Sequence, residues 1–376
     1  MLNVLHLINY PGKGGSEKYI LSLVEKLQDK NCKFYICHSE DGPMLESAKK
    51  LGAEVINLKM RSPYDFKAAL ELKKLCKKLS IDIVHTHFLR ENCIAALSKF
   101  LGNRVVLVNT YHLIGDENIL LRLFNSLLTA VTDRIIAVSN AVKKKIASEC
   151  INSRKIKVIH NGVDIEYWKG ERDLKVRDEL GVNRNAFMVT SIARFSEEKG
   201  HIFYLESIKE FKKLYYQDGR KNTGDVKFVL VGDGEMLDEC INFADMLGLS
   251  EDVIFTGYRL DVKDILHGSD LFVSHSKSEA LGISILEALA CSVPVIATDA
   301  GGPSEIISEN NDCGMIVEYG DTEGMAKSIL KFINDKSFYD SCRENALKTV
   351  RAKFSLDKTV EETFNLYILS LSPGYA

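Results

Sequence analysis

The sequence predicts an α/β protein made of two doubly wound domains. Short, continuously apolar runs alternate with longer stretches of helical spacing, the pattern of parallel sheets covered by helices on both faces. The length of 376 residues also exceeds the ~250–300 that one hydrophobic core organises.

In chain order, Asn3–Ile8, Phe34–His38, Ile81–His85, Val105–Asn109 and Arg134–Val138 read as strands rich in Val and Ile. Lys18–Leu27, Phe66–Leu79 and Ile119–Val131 carry apolar residues at helical spacing. The turn Asn161–Gly162–Val163–Asp164 and the polar stretch Lys169–Asn185 interrupt the rhythm and place a domain boundary near residue 165. Strands then resume at Phe187–Ile192, Lys227–Val231, Asp252–Phe255, Asp270–Val273 and Pro294–Ala297. Ligands of such sheets bind outside the carboxyl ends of the strands, so functional residues are to be sought in the loops after those runs.

Composition narrows the setting. A formal net charge of −3 points to no particular partner, and no nucleic acid is expected. Residues 1–160 hold 25 basic against 15 acidic side chains, while the remainder holds 24 against 37. That asymmetry suits either a first domain that meets an anionic membrane or acceptor, or an uneven spread of surface lysines. Nine scattered cysteines without a CxxC pair fit reduced thiols in the cytoplasm. The first residues enter a strand at once, without a signal-peptide pattern, and no run approaches the ~20 apolar residues of a membrane span.

The segment Ser276–Ala290 carries the most chemistry. It follows the apolar run Leu271–Val273 and leads through Glu279, Gly282 and Ile283 into helix-forming sequence that contains Glu287. A strand, a small-residue loop and a helix N-terminus offer backbone N–H groups and a positive dipole end to an anion. Gly282 permits close backbone approach. Glu287 is placed to accept bonds from a vicinal diol such as ribose, and Glu279 to bond hydroxyls of a second sugar. A nucleotide diphosphate sugar suits that arrangement; an ordinary strand-to-helix turn with a solvated glutamate at each end accounts for the same spacing.

Ala193–Gly200 follows another strand and presents Arg194 and Lys199, two cations able to neutralise a diphosphate leaving group where no metal does so. A solvated charged loop is the plainer reading. Pro11–Glu17, with Gly14 and Gly15, lacks the order of a P-loop and the third glycine of a GxGxxG fingerprint. It still permits close backbone approach to a ligand, with Ser16 predicted as a helix N-cap.

Together these segments resemble the retaining glycosyltransferases of family 4, which have the GT-B fold of two Rossmann-like domains facing across a cleft. The resemblance runs through Gly14–Glu17, Asp82–His87, Thr110–His112, Val138–Ser139, Val158–Asp164, Arg194 with Glu198–Gly200, Val231–Gly234, Phe255–Gly257 and the Glu279-x7-Glu287 spacing. It implies a metal-independent hexosyltransferase with no cofactor beyond a nucleotide-sugar donor, UDP-sugar first among the candidates. The implied acceptor is a glycan or a lipid-linked sugar, and the setting is bacterial surface polysaccharide or glycoconjugate synthesis. Arg194 and Lys199 match the diphosphate-binding pair, Glu287 the ribose ligand, and Glu279 the contact to the transferred sugar. Gly14 and Gly15 are expected beside the phosphates and His112 near the reacting sugar, while Gly232, Gly257 and Tyr258 belong to the donor side. The implied domains are 1–165 on the acceptor side, 166–354 for the nucleotide sugar, and 355–376 as a helix crossing back to the first domain.

Two departures from the family pattern stand out. Ser274–His275–Ser276 replaces a usual Pro-Ser, from which only a small change in loop rigidity is expected. Ala280 and Leu281 replace a frequent Gly and a usual aromatic beside the sugar pocket.

Other signals weigh less. His85–Thr86–His87 lacks a third metal ligand at a suitable spacing, and there is no Asp-x-Asp triplet. The stretch Asp65–Leu79 mixes Phe66, Leu70, Leu72, Leu75 and Leu79 with five lysines, which suits either a helix buried on one face or one resting on an anionic bilayer. Rival readings are a GT-B nucleotide-sugar epimerase, a dinucleotide oxidoreductase, and a sugar-nucleotide-binding protein without activity.

Overall fold

The computed structural model describes residues 1–12, 14–112, 126–148, 152–172, 174–217, 226–307 and 312–372. The chain divides into two compact units, one of Met1–Asn161 with Leu356–Ala376 and one of Gly162–Ser355. Of the helix expected at Ile119–Val131, residues 119–125 lie outside the described segments, and residues 126–131 are helical.

The first unit is built on a seven-stranded parallel sheet: β1 (Leu2–Ile8), β2 (Cys32–His38), β3 (Glu54–Asn57), β4 (Ile83–Thr86), β5 (Val106–Tyr111), β6 (Arg134–Ala137) and β7 (Ile156–Val158). Their spatial order is β3-β2-β1-β4-β5-β6-β7. Alternation along β1 splits the core. Val4 and Ile8 pack under helix Gly15–Leu27 through Ile20, Leu23 and Leu27, while Leu5 and Leu7 face helices Phe66–Lys78 and Leu89–Phe100 through Leu72 and Ile94. The last helix, Leu356–Leu371, packs on the first of these faces with Val360, Leu366 and Tyr367.

The second unit repeats the plan with six strands: β8 (Phe187–Ile192), β9 (Val226–Val231), β10 (Val253–Gly257), β11 (Leu271–Ser274), β12 (Val295–Thr298) and β13 (Gly314–Val317). The order is β10-β9-β8-β11-β12-β13, again all parallel. In both units the strand order reverses beside the first strand, between β1 and β4 and between β8 and β11. Crevices form at such points because neighbouring loops diverge to opposite faces.

Ten expected strands are present within a few residues of their expected bounds. The three not anticipated, β3, β7 and β13, are three or four residues long and lie at sheet edges. An edge strand is only half covered, so its residues need not form the continuous apolar run that marks an interior parallel strand. The eight described cysteines are free thiols, consistent with their scattered spacing.

One buried ion pair anchors the start of the second unit. Arg177, fully buried in helix Lys175–Glu179, donates to the carbonyls of Gly268 (2.7 Å), Arg184 (3.0 Å) and Ala186 (2.7 Å), and to Asp270 Oδ2 at 2.5 Å. Asp270 in turn accepts from Met188 N–H at 2.7 Å and from Arg172 at 2.6 Å. Removing one partner strands the other charge in the interior. Arg177→Ala is expected to lower stability in urea unfolding by about 3–5 kcal/mol; a loss below about 1 kcal/mol, the worth of an exposed pair, would remove this anchor from the account.

Candidate active site

The second unit brings its two charged constellations together. After β8 the chain turns through Arg194, then a 3-10 turn at Glu197–Lys199, and reaches Gly200 with φ of 71°. A Cβ at Gly200 would stand 2.4 Å from the carbonyl oxygen of His275, so glycine is what allows this loop to press on the loop after β11. Three bonds join the two loops. Lys277 N–H donates to the Glu198 carbonyl (2.8 Å), the His275 ring donates to the Lys199 carbonyl (2.6 Å), and Lys199 Nζ donates to Glu279 Oε2 (2.6 Å).

Arg194 is exposed and binds Glu198 at 2.7 Å. Burial alone would raise the Glu198 carboxyl, but bonds from Ser196 and Arg194 outweigh it and bring its pKa down to about 2. Lys199 and Glu279 are 23% and 20% exposed, a pair sheltered enough to hold a fixed geometry yet open to a ligand.

His275 corrects an expectation. In place of a small change in rigidity, the ring is a buried tie. With Nδ1–H on the Lys199 carbonyl, Nε2 accepts from Ser191 Oγ at 2.8 Å, and Tyr204 stacks on it at 4.5 Å. Burial holds its pKa well below the usual value, so the ring is neutral and its two bonds are compatible.

Beyond Ser276, Glu279 forms a short parallel bridge to Gly301, with its N–H on the Ala300 carbonyl and its own carbonyl accepting from Gly302, each at 2.9 Å. Gly282 takes φ of 102° and begins helix Ile283–Ala290 without a side-chain cap. Glu287 is only 6% exposed. The reading of two solvated glutamates therefore fails. Ala280 and Leu281 are buried. Nearby in the sheet, Gly232 N–H donates to the Gly257 carbonyl at 3.0 Å, which sets the ends of β9 and β10 side by side, and Tyr258 follows with its ring exposed.

The first unit holds the remaining candidates. Helix Gly15–Leu27 starts directly at Gly15 with Gly14 as its N-cap residue. Ser16 is not the cap, contrary to expectation: its hydroxyl donates to Glu17 Oε2 (2.8 Å), while Glu17 Oε1 accepts from Gly12 N–H (3.1 Å). Glu17 therefore braces the turn that precedes the helix, whose first N–H groups have no side-chain cap.

His112 follows β5 and lies in a group that sequence spacing does not reveal. Parallel register pairs His6 of β1 with His85 of β4, on the face covered by Tyr19 and by Tyr367. His6 Nδ1 lies 3.0 Å from His87 Nε2, and His87 Nδ1 lies 3.1 Å from His112 Nε2. His85 bonds the Tyr367 hydroxyl (2.6 Å) and Thr110 (2.7 Å). Burial lowers the pKa of His6 to about 3 and of His112 to about 4. The third imidazole that His85–Thr86–His87 seemed to lack is thus His6, and the ligating atoms of His6, His85 and His87 fall within 4.8 Å of one another. The 3.0 Å separation of His6 and His87 is a hydrogen-bond distance, and both nitrogens of His85 already have hydrogen-bond partners. The available signal was a histidine within the otherwise apolar run Val4–Ile8.

Residues 13–167 match the family described as Glycosyltransferase Family 4, and residues 173–349 match Glycosyl transferases group 1. A curated relative, UDP-Gal:alpha-D-GlcNAc-diphosphoundecaprenol alpha-1,3-galactosyltransferase of Escherichia coli, is 26% identical over 98% of this chain and 97% of its own. N-acetyl-alpha-D-glucosaminyl L-malate synthase of Bacillus anthracis is 26% identical over 81% of this chain and 79% of its own. Among solved structures, a glycosyltransferase of Rickettsia africae has a TM-score of 0.85 at 23% identity over 99% of both chains. Anabaena HepE, crystallised with UDP and glucose, has a TM-score of 0.84 at 22% identity over 97% of this chain and 99% of its own. The last two matches establish the fold as GT-B. With both family matches side by side along nearly the whole sequence, the chain belongs to the group 1, family 4 glycosyltransferases.

Proposed function

We propose that the protein moves a hexose from a UDP-sugar, with retention of anomeric configuration and without a metal, to a glycan or lipid-linked acceptor in bacterial surface polysaccharide or glycoconjugate synthesis. The observation that carries this reading is the 2.6 Å pair of Lys199 and Glu279, which sets a diphosphate-binding cation against a hydroxyl-binding carboxylate where the order of the second sheet reverses. The relative that uses UDP-Gal and a diphosphoundecaprenol acceptor supports the substrate classes.

In this reading the pair is the resting partner of each group. An arriving diphosphate takes Lys199 and Arg194, which neutralise the charge that grows on the leaving oxygen. Glu279, released from Lys199, accepts bonds from hydroxyls of the transferred sugar. The start of helix Ile283–Ala290 faces the phosphates with Gly282 and Ile283, and Glu287 accepts from the ribose. Gly232, Gly257 and Tyr258 border the base. In the first unit, Gly14 and Gly15 are assigned to the phosphates and His112 to the reacting sugar. The departing phosphate oxygen takes the acceptor's proton, so no protein base is required.

We place the protein in the cytoplasm, peripheral to an anionic membrane. No helix among the described residues is long and apolar enough to cross a membrane. Helix Phe66–Lys78 buries Ala68, Ala69, Leu72 and Cys76 but leaves Phe66 and Leu70 exposed beside Lys67, Lys74, Lys77 and Lys78. Exposed apolar and cationic side chains on one helix suit a bilayer of anionic lipid. Lys73 is tied to the Leu101 carbonyl at 2.6 Å and is less available.

Three measurements test this reading. In a thermal-shift panel with EDTA present, UDP-sugars are expected to raise the melting temperature more than GDP- or ADP-sugars, and no shift with any of them would end the proposal. Lys199→Ala and Glu279→Ala are each expected to cut transfer about 100-fold or more, the usual cost of losing a group that stabilises developing charge; full activity in either refutes its role. Replacing the four exposed lysines of Phe66–Lys78 with Glu is expected to abolish sedimentation with phosphatidylserine vesicles, and undiminished binding removes the membrane from the account.

A further inference from the structure

The histidines of the first unit form a ribbon with a direction. The His6 and His87 ring centroids are 5.2 Å apart with planes 19° from parallel, and those of His87 and His112 are 5.4 Å apart at 28°. The N···N contacts are 3.0 and 3.1 Å. Each centroid separation exceeds its contact by about two ring radii, so both bonds run nearly along the ring planes. The geometry is a chain of in-line hydrogen bonds, each needing one proton and one lone pair.

Three neutral imidazoles hold three protons, and the chain can be ordered in two ways. Outward order has His6 Nδ1–H donating to His87 Nε2 and His87 Nδ1–H donating to His112 Nε2, which leaves His112 with its proton on Nδ1. Inward order reverses every step. It leaves His112 Nδ1 bare and puts a proton on His6 Nε2.

The two differ most at His6 Nε2, which is fully buried and has no hydrogen-bond partner. Inward order strands an N–H there, and orphaned buried donors are rare in folded proteins. Phe34, with its ring centroid 5.8 Å away, offers no relief: its plane is within 22° of the His6 plane, so a proton on Nε2 cannot point at the aromatic face. Outward order leaves only a bare, buried ring nitrogen there. Neutrality of the ribbon agrees with burial, which lowers the pKa of every member.

We infer that His6 and His87 are positioning residues that hold His112 in the Nδ1–H tautomer, so that it offers a hydrogen-bond donor, not a base, at the carboxyl end of β5. An unconstrained histidine side chain favours the opposite, Nε2–H form. The assignment rests on the role proposed for His112 beside the reacting sugar, where a donor suits an oxygen gaining negative charge and where the leaving phosphate already serves as the base. His85 is outside the ribbon, because Thr110 and Tyr367 occupy its nitrogens.

The test is the tautomer itself. In protein labelled with 15N-histidine, two-bond 15N–1H correlation at pH 7 separates protonated from bare ring nitrogens, and a His112→Asn variant identifies the His112 signals. The expected result is a protonated Nδ1 and a bare Nε2 on His112. An Nε2–H or a doubly protonated ring overturns the inference without the need of a ribbon variant. In folded His6→Phe protein, His112 is expected to shift toward Nε2–H. Its kcat is expected to fall about 10–100-fold, the range for partners that only fix a ring's tautomer and orientation, with a smaller change in donor KM. An unchanged tautomer in that variant also overturns it. If His112 proves Nδ1–H while His112→Ala transfers sugar at the wild-type rate, the ribbon stands and the role given to His112 in catalysis is what fails.

Discussion

Because β8 and β11 lie side by side and parallel, their carboxyl ends deliver two loops to one place, and Lys199 meets Glu279 there at 2.6 Å. The rest of the candidate site is arranged around that contact. Gly200 makes the approach sterically possible, His275 holds the Lys199 carbonyl, and the Glu279 backbone is bridged to Gly301. The ion pair itself contributes little to stability at its degree of exposure. Its value is positional: it holds a cation and a carboxylate in contact, the two groups that the proposed function has a ligand separate.

The first unit solves a different problem with the same topology. Its sheet carries His6, His85, His87 and Thr110 on a face otherwise lined by Val4, Ile8 and Val108. Polar groups are tolerated there because, His6 Nε2 aside, they bond one another and the hydroxyls of two covering helices. Tyr19 bonds Thr363 (3.1 Å) and Tyr367 bonds His85. Such an island must remain neutral. A histidine in the unfolded chain gains its proton near pH 6.5, whereas His6 and His112 in the fold do so only at about 3 and about 4. Stability tied to their neutral forms is complete above pH ~6.5 and is lost as pH falls toward those values. The same burial that rules out charge leaves the direction of the ribbon as the remaining variable.

The central strands were legible because a parallel strand covered on both faces is mostly apolar, and β1, β2, β8 and β9 are so, with no more than two polar side chains each. Edge strands such as β3, with exposed Glu54 and Asn57, escape it. Within the candidate site, Arg194, Lys199, Glu279 and Glu287 were singled out by type and spacing as groups suited to phosphate and diol recognition, and the structure adds that Lys199 and Glu279 meet and that Glu287 is buried. The turn at Gly14 was also identifiable, but its cap was misassigned. Local rules favour a serine at that place, but the Ser16 hydroxyl is drawn to Glu17, which reaches back to Gly12, and the helix starts without a side-chain cap.

By itself, the sequence determined the alternation of strand and helix, the two-domain plan, the family, and the residue types able to hold a sugar diphosphate. These are properties of short segments, in which periodicity and local chemistry are written directly. Only the tertiary structure decided which distant groups meet: Lys199 with Glu279 across 80 residues, His275 with Lys199 across 76, and His6 with His87 across 81. Such encounters depend on strand order and register, which are set by the packing of the whole sheet. A side chain's charge and tautomer follow from its neighbours, and those are known only after the chain has closed on itself.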